Sequence, residues 1–167
     1  MIRIAKEEDL IRTSEIQVYG WRSSYADYIP EVYLYNKMNV LSSQKKQREL
    51  LGSDKGNFHL LDDGIIRGII LHGEPRDVND NSLYEVYAIY IEPQFKQRGY
   101  GRKLLEFVEL EALKKGKKKL IIWTIEENTK ARMFYESNNY IYDNNEKFIE
   151  EWDLKEVRYS KELKYEN

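Results

Sequence analysis

Apolar residues along this chain follow two spacings, one typical of strands and one typical of helices. Ile2 and Ile4 alternate with polar residues, which predicts a short first strand. The apolar runs 58–61 and 65–72 flank the sequence Asp-Asp-Gly at 62–64. Because Asp-Gly supplies the positive φ angles of a tight turn, the two runs predict a β-hairpin.

Residues 85–135 predict a strand, a loop, a helix, a second strand and a second helix. The apolar run 86–91 is the first strand, and residues 99–115 have apolar side chains on one helical face. Gly116 ends that helix among five lysines, which we expect to be a solvated helix end. A strand over 120–124 follows, and Asn128 is expected to be the N-cap of the next helix.

The ends of the chain predict further helices and strands. A helix is expected from about Asp9 and another over 41–51, while strands are expected at 140–142 and around 157–163. Pro30 disfavours helix at the residue before it, so a second helix is expected to begin after this proline. Trp21 is expected to pack in the core. Tyr25 and Tyr28, at the same helical spacing, can be core residues or line an acceptor pocket.

Composition and charge limit the classes of function. A length of 167 residues predicts one domain, 1–167, and a net charge of −2 argues against nucleic-acid binding. The chain has no cysteine and two histidines, so we expect no metal site. No apolar run is long enough to span a membrane or to form a signal peptide, so we expect no membrane partner and a cytoplasmic location.

The sequence Gly99-Tyr100-Gly101 opens a helix directly after a loop, which is where phosphate groups bind. A dinucleotide fingerprint would need a third glycine where Leu104 lies, and the Gly-Lys-Ser/Thr of a phosphate-binding loop is missing. The alternative is a loop and helix start that bind no ligand. The N–H groups of residues 97–102 are expected to be free, and glycines let phosphate oxygens approach the backbone. Charge from Arg98, Arg102 and Lys103 would add to that site.

Two motifs in order resemble the GNAT (Gcn5-related N-acetyltransferase) superfamily. The first is the glycine motif of residues 96–101, with Lys96 in place of the usual Arg or Gln, and the second is Asn128-x-x-Ala131-x-x-Phe134-Tyr135. The resemblance implies an α/β (α+β) fold with a mixed, mostly antiparallel central sheet that is splayed between its central strands and flanked by helices. It implies acetyl-CoA as cosubstrate. The residues implied to bind it are Ile89, Tyr90 and Ile91 on the strand, Gln97, Arg98, Gly99, Tyr100, Gly101 and Arg102 at the helix start, and Asn128, Ala131 and Phe134 in the second motif.

The chemistry of acetyl transfer to an amine needs a proton acceptor and a proton donor. An alkylamine is neutral in about one molecule in a thousand at pH 7, so a base or desolvation must help. The resemblance implies a strand N–H near Ile89 as oxyanion donor and Tyr135 as the acid that protonates the thiolate, although Tyr135 can also be a packed aromatic residue. Glu85 is the first candidate base, through water, on the same strand face as Tyr87 and Ile89. The alternative is that Glu85 is an exposed carboxylate at the strand end without a catalytic role.

Related ribosomal-protein alanine acetyltransferases have their glutamate where this chain has Trp123, so their base does not transfer. The resemblance therefore implies an N-acetyltransferase that moves an acetyl group to a primary amine by direct attack in a ternary complex. The acidic, tyrosine-rich segments favour a cationic acceptor, either a small molecule or a peptide, and a homodimer is possible because dimers are common in relatives. The alternative is a non-catalytic acyl-CoA-binding or regulatory module. The acceptor, the acyl-chain preference and the base stay open.

Overall fold

A computed structural model describes residues 1–164, and its centre is a seven-stranded sheet. Along the sheet the strands follow the order β1-β2-β3-β4-β5-β7-β6, and every neighbouring pair is antiparallel except β4 with β5. The strands are β1 (Ile2–Ile4), β2 (Asn57–Asp62), β3 (Ile66–Gly73), β4 (Leu83–Ile91), β5 (Lys119–Ile125), β6 (Ile141–Ile149) and β7 (Leu154–Glu162).

Four α-helices flank this sheet in the described part of the chain. They are α1 (Leu10–Tyr25), α2 (Val40–Leu51), α3 (Tyr100–Lys114) and α4 (Thr129–Ser137). The predicted fold class, a mixed and mostly antiparallel sheet flanked by helices, is therefore confirmed. None of the helices within residues 1–164 has the length and apolarity needed to cross a membrane.

Two hydrophobic cores lie on the two faces of the sheet. On one face α3 buries Leu104, Leu105 and Val108 against β4 and β5. On the other face α1 buries Leu10 and Ile16 against β2 and β3. Since one apolar stripe of each helix meets an apolar sheet face, the hydrophobic spacing of the sequence is satisfied on both sides.

The chain is helical directly after Pro30, as predicted, but it soon passes into a π-helical turn, Tyr33–Lys37. The next α-helix begins at Val40, where the side chain of Asn39 accepts a hydrogen bond from the N–H of Ser42. The lysines around Gly116 are not all solvated, since Lys117 is 9 % exposed and pairs with Glu74. Burial of that ammonium group requires a carboxylate partner, which the distant loop after β3 supplies.

A β-bulge in β4 changes which side chains share a face. Leu71 pairs with Ala88 and His72 pairs with Val86, so Tyr87 is an extra residue on β4. Ile89 therefore packs with Val86 in the core beneath α3. The predicted common face of Glu85 and Ile89 is wrong, because alternation shifts by one position at the bulge.

His72 lies buried in β3, and its burial makes stability depend on pH. Its side chain is 1 % exposed, its Nδ1 lies 3.1 Å from the Tyr84 hydroxyl, and burial together with the nearby His59 lowers its pKa to about 3. An unfolded histidine titrates near 6.5, so between these values the unfolded chain binds the extra proton. The contribution of this group to stability is therefore lost as pH falls below about 6.5.

Replacing His72 with glutamine is expected to flatten this pH dependence. In the wild-type chain this histidine alone should remove about 2 kcal/mol of unfolding free energy between pH 7 and pH 5. The variant lacks that titration while all other titrating groups stay. Urea unfolding at several pH values measures the difference in slope. Equal slopes in the two proteins would contradict the assignment.

Candidate active site

The strands β4 and β5 separate halfway along their length and leave a cleft between them. Their pairing begins with Leu83 opposite Lys119 and stops with Val86 opposite Ile122. Residues 87–91 of β4 continue in strand conformation, but their edge toward β5 has no partner strand among the described residues. That edge, which includes Ile89, Tyr90 and Ile91, offers free backbone groups to an extended ligand.

The start of α3 lies directly after β4 and a short turn, and its backbone has the shape expected of an anion site. Gln97 and Gly99 both have positive φ angles, 63° and 79°, and Gly99 is the residue before the first helical turn. Within residues 1–164, the N–H groups of residues 97–102 find no hydrogen-bond acceptor. Six such donors at the positive end of a helix dipole favour a phosphate group.

Gly101 and Phe134 form a close contact between the start of α3 and the helix α4. A Cβ atom added at Gly101 would lie 2.9 Å from Cζ of the Phe134 ring, so only glycine allows this close approach. Tyr100 and Ala131 also pack against the core beneath α3. The side chains of Arg98 and Arg102 are exposed, and the Arg102 guanidinium pairs with Glu106.

Asn128 begins α4 at the end of the loop that follows β5. Its side-chain oxygen accepts a hydrogen bond from the N–H of Ala131 at 3.2 Å, which confirms the predicted N-cap. The residue is 7 % exposed, and its side chain also faces the Tyr25 hydroxyl. Its amide is therefore fixed where the cleft meets α1.

Three tyrosines, Tyr25, Tyr90 and Tyr135, meet at this point. Burial raises the pKa of Tyr25 to about 12 and raises those of Tyr90 and Tyr135 as well, and Tyr25 adds to the rise at both. Tyr135 is 6 % exposed, and its hydroxyl has no hydrogen-bond partner within residues 1–164. This hydroxyl is not one of the fully buried polar atoms that lack a partner there, so it stays accessible to a ligand.

Glu85 lies on β4 but is held by an ion pair. It is 1 % exposed, and its Oε1 accepts hydrogen bonds from Nε and Nη2 of Arg76 at 3.0 and 2.6 Å. The amide N–H of Arg76 donates to Oε2 at 2.8 Å. The carboxylate therefore anchors the loop after β3, and the alternative of an exposed, free carboxylate is wrong.

The structure brings together the strand edge, the helix start, Asn128 and Tyr135 from the sequence prediction. Sequence analysis missed Glu156, a half-buried carboxylate on β7 whose charge acts on Tyr25. Its position in a strand of alternating polar and apolar residues gave no signal, because the groups around it come from other parts of the chain. The sequence predicts Tyr25 as either a core or a pocket residue, and in the structure it packs against the cluster around Ile125 and Leu154 and faces Asn128.

Comparisons with known proteins agree with this geometry. The sequence model of the acetyltransferase (GNAT) family matches residues 18–140. A Bacillus subtilis (strain 168) protein, described as the uncharacterized N-acetyltransferase YuaI, is 31% identical over 137 residues, which is 81% of this chain and 77% of YuaI.

Two solved structures show the same fold. PaiA N-acetyltransferase from Thermoplasma acidophilum, in complex with coenzyme A, superposes with a TM-score of 0.75 at 18% identity, over 97% of this chain and 98% of that one. YncA from Salmonella typhimurium, solved with its cofactor acetyl-CoA, has a TM-score of 0.66 at 21% identity, over 100% of this chain and 95% of that one.

Proposed function

Because the chain belongs to the GNAT family of acetyltransferases, we propose that it moves the acetyl group of acetyl-CoA to a primary amine. The amine attacks directly while both substrates are bound. The observation that carries this proposal is the unpartnered hydroxyl of the buried residue Tyr135 beside the cleft between β4 and β5. Such a hydroxyl can serve as the proton donor to the departing sulfur.

The cleft fits two chemical parts of coenzyme A, the pyrophosphate and the pantetheine arm. The free N–H groups of residues 97–102 suit the pyrophosphate, and Gly101 leaves the backbone open to it. The unpaired β4 edge at residues 89–91 suits the amides of the pantetheine arm, as a further strand would. Asn128 adds a fixed side-chain amide on the opposite wall. Phe134 and Ala131 support that wall from α4.

The residues around Tyr135 carry out the proton transfers that acetyl transfer requires. When bound, acetyl-CoA supplies a thioester carbon that the amine can attack. Tyr135 stays protonated at neutral pH because burial raises its pKa, so it can donate to the departing sulfur. We expect a backbone N–H near Ile89 to donate to the carbonyl oxygen. Glu85 stays a candidate for activating the amine through water, although Arg76 occupies both of its oxygens.

The acceptor side of the cleft has an aromatic wall. We use the name aromatic cluster for Trp21, Tyr25, Tyr28, Tyr33 and Trp152, which pack around Ile125 and Leu154. The indole N–H of Trp152 is buried and has no acceptor in the described part of the chain. Such a surface suits an amine with an apolar or extended body, since the rings supply contact area.

A panel assay tests the proposal. We expect release of free coenzyme thiol from acetyl-CoA with one class among polyamines, amino acids, aminoglycosides and peptides with free amines. Calorimetry with acetyl-CoA provides the second measurement. Binding without release in any class would favour the alternative, a non-catalytic acyl-CoA-binding module. Neither binding nor release would overturn the proposal.

A further inference from the structure

Glu156 is a half-buried carboxylate near the start of β7. It lies opposite Ile125 of β5 and opposite Lys147 of β6, so its position in the sheet is fixed from both sides. Within residues 1–164 its carboxylate forms no hydrogen bond and no ion pair. Burial therefore outweighs the attraction of the nearby Lys147 and Arg76 and raises the pKa of Glu156.

The charged groups around Glu156 are already paired with one another. Arg76 and Glu85 form an ion pair of 2.6 Å, and Lys147 pairs with Asp77. These four charges act on Glu156 and sum to zero, while Tyr25 faces it from α1. The negative charge of Glu156 is therefore the one charge in this group that lacks a counterpart. A single positive charge brought by a ligand would balance it.

Glu156 also lies close enough to the cleft for its charge to act on a tyrosine beside Tyr135. Its charge acts on the Tyr25 hydroxyl, and Tyr25 in turn acts on Tyr135. Ile125, its cross-strand partner, packs within the aromatic cluster. An amine bound at Glu156 would thus lie between the aromatic cluster and the cleft that contains Tyr135.

We propose that Glu156 receives the protonated amine of the acceptor and takes its proton, which commits the site to cationic primary amines. This assignment rests on the proposed acetyl transfer. Glu156, with both oxygens free, has this role in preference to Glu85, whose oxygens Arg76 occupies. Burial raises the pKa of Glu156, and the same environment lowers that of an entering ammonium, so the proton moves more readily between them.

The protons and bonds of the reaction then balance. The ammonium gives one proton to the Glu156 carboxylate and becomes a neutral amine. Its nitrogen forms the C–N bond to the acetyl carbon as the C–S bond breaks, and the sulfur takes the Tyr135 proton. The second proton of the nitrogen restores Tyr135, and the proton on Glu156 passes to solvent. The products are the amide, the coenzyme thiol and one released proton.

The test compares Glu156→Gln with Glu156→Asp and with Glu162→Gln. Glu162 is an exposed carboxylate on the same strand that pairs with Lys119, so it serves as the matched control. Three quantities are measured: the Kd of a polyamine for the coenzyme-A-saturated protein, the kcat/KM for the best amine of the panel from about pH 5 to 9, and the Kd for acetyl-CoA.

For Glu156→Gln we expect polyamine affinity to fall by about tenfold or more and kcat/KM by about 10²-fold, with acetyl-CoA binding unchanged. The acidic limb of the pH profile should disappear in this variant and persist in Glu156→Asp. Glu162→Gln should behave as wild type.

Unchanged polyamine binding, or an acidic limb that survives in Glu156→Gln, would overturn the assignment. The wild-type protein could also bind polyamine through Glu156 and release no coenzyme thiol. That result would support the cation site at Glu156 and contradict the proposed acetyl transfer. The binding and rate measurements therefore separate the two failures.

Discussion

Replacing Tyr135 with phenylalanine is expected to lower kcat by about 10²–10³-fold and to leave the Kd for acetyl-CoA within about threefold of wild type. The phenylalanine ring keeps the packing against Tyr140 and Tyr159, whose ring centres lie 6.3 and 5.9 Å away. Only the hydroxyl is lost, and it has no partner in residues 1–164 that would be left unpaired. The change therefore removes a proton donor and little else.

A matched control is Tyr140→Phe. This residue is also buried, and its hydroxyl donates to Glu109 at 2.9 Å. Glu109 keeps its ion pair with Lys161 in that variant, so the fold and turnover should persist. Single-turnover rates and calorimetry measure both proteins. If Tyr135→Phe turned over as wild type does, Tyr135 would be a packed aromatic residue and the acid would have to be another group or water.

Local signals in the sequence account for much of the fold. The Asp-Asp-Gly turn joins β2 to β3, and Gly64 has a φ of 97°. Asn128 caps α4, and Asn139 adopts the left-handed conformation, with φ of 66°, at the turn after it. These features depend on the residue itself and its immediate neighbours, so one sequence is enough to predict them.

Features that depend on distant segments could not be predicted. Nothing between Val86 and Ile89 marks the bulge at Tyr87, because the cause is the pairing with β3. The hydroxyl of Tyr87 donates to the carbonyl of Glu74 at 2.6 Å, a contact that only the folded chain creates. The bulge also decides that Ile89 faces the core beneath α3 rather than the face of Glu85.

The same distinction between local and distant contacts applies to the candidate site. The two sequence motifs predict the start of α3 and the helix α4, because the residues of each motif are contiguous. Whether a carboxylate is free or paired depends on Arg76, Asp77 and Lys147, which lie on other elements. The place of Glu85 on the central strand marks it in the sequence, whereas Glu156 stands out only when the ion pairs around it are known.

Replacing Gly101 with valine is expected to weaken acetyl-CoA binding by about 10²–10⁴-fold in Kd. A Cβ at this position would lie 2.9 Å from the Phe134 ring, so the start of α3 must shift. The branched side chain would also cover N–H groups that are free in residues 97–102. Loss of two hydrogen bonds to a charged phosphate, at about 1.5–3 kcal/mol each, gives this range.

Gly52→Ala is the control for adding a side chain to a glycine. Its Cβ would meet only the Arg48 carbonyl at 3.7 Å, and the backbone has φ of −87°, which alanine adopts. That variant should bind acetyl-CoA as wild type does, and thermal unfolding of both proteins would show whether the fold survives. A folded Gly101→Val protein with wild-type affinity would place the phosphates elsewhere. Tyr135→Phe should lose turnover while it keeps binding, and Gly101→Val should lose binding itself, so the two variants separate the proton donor from the phosphate site.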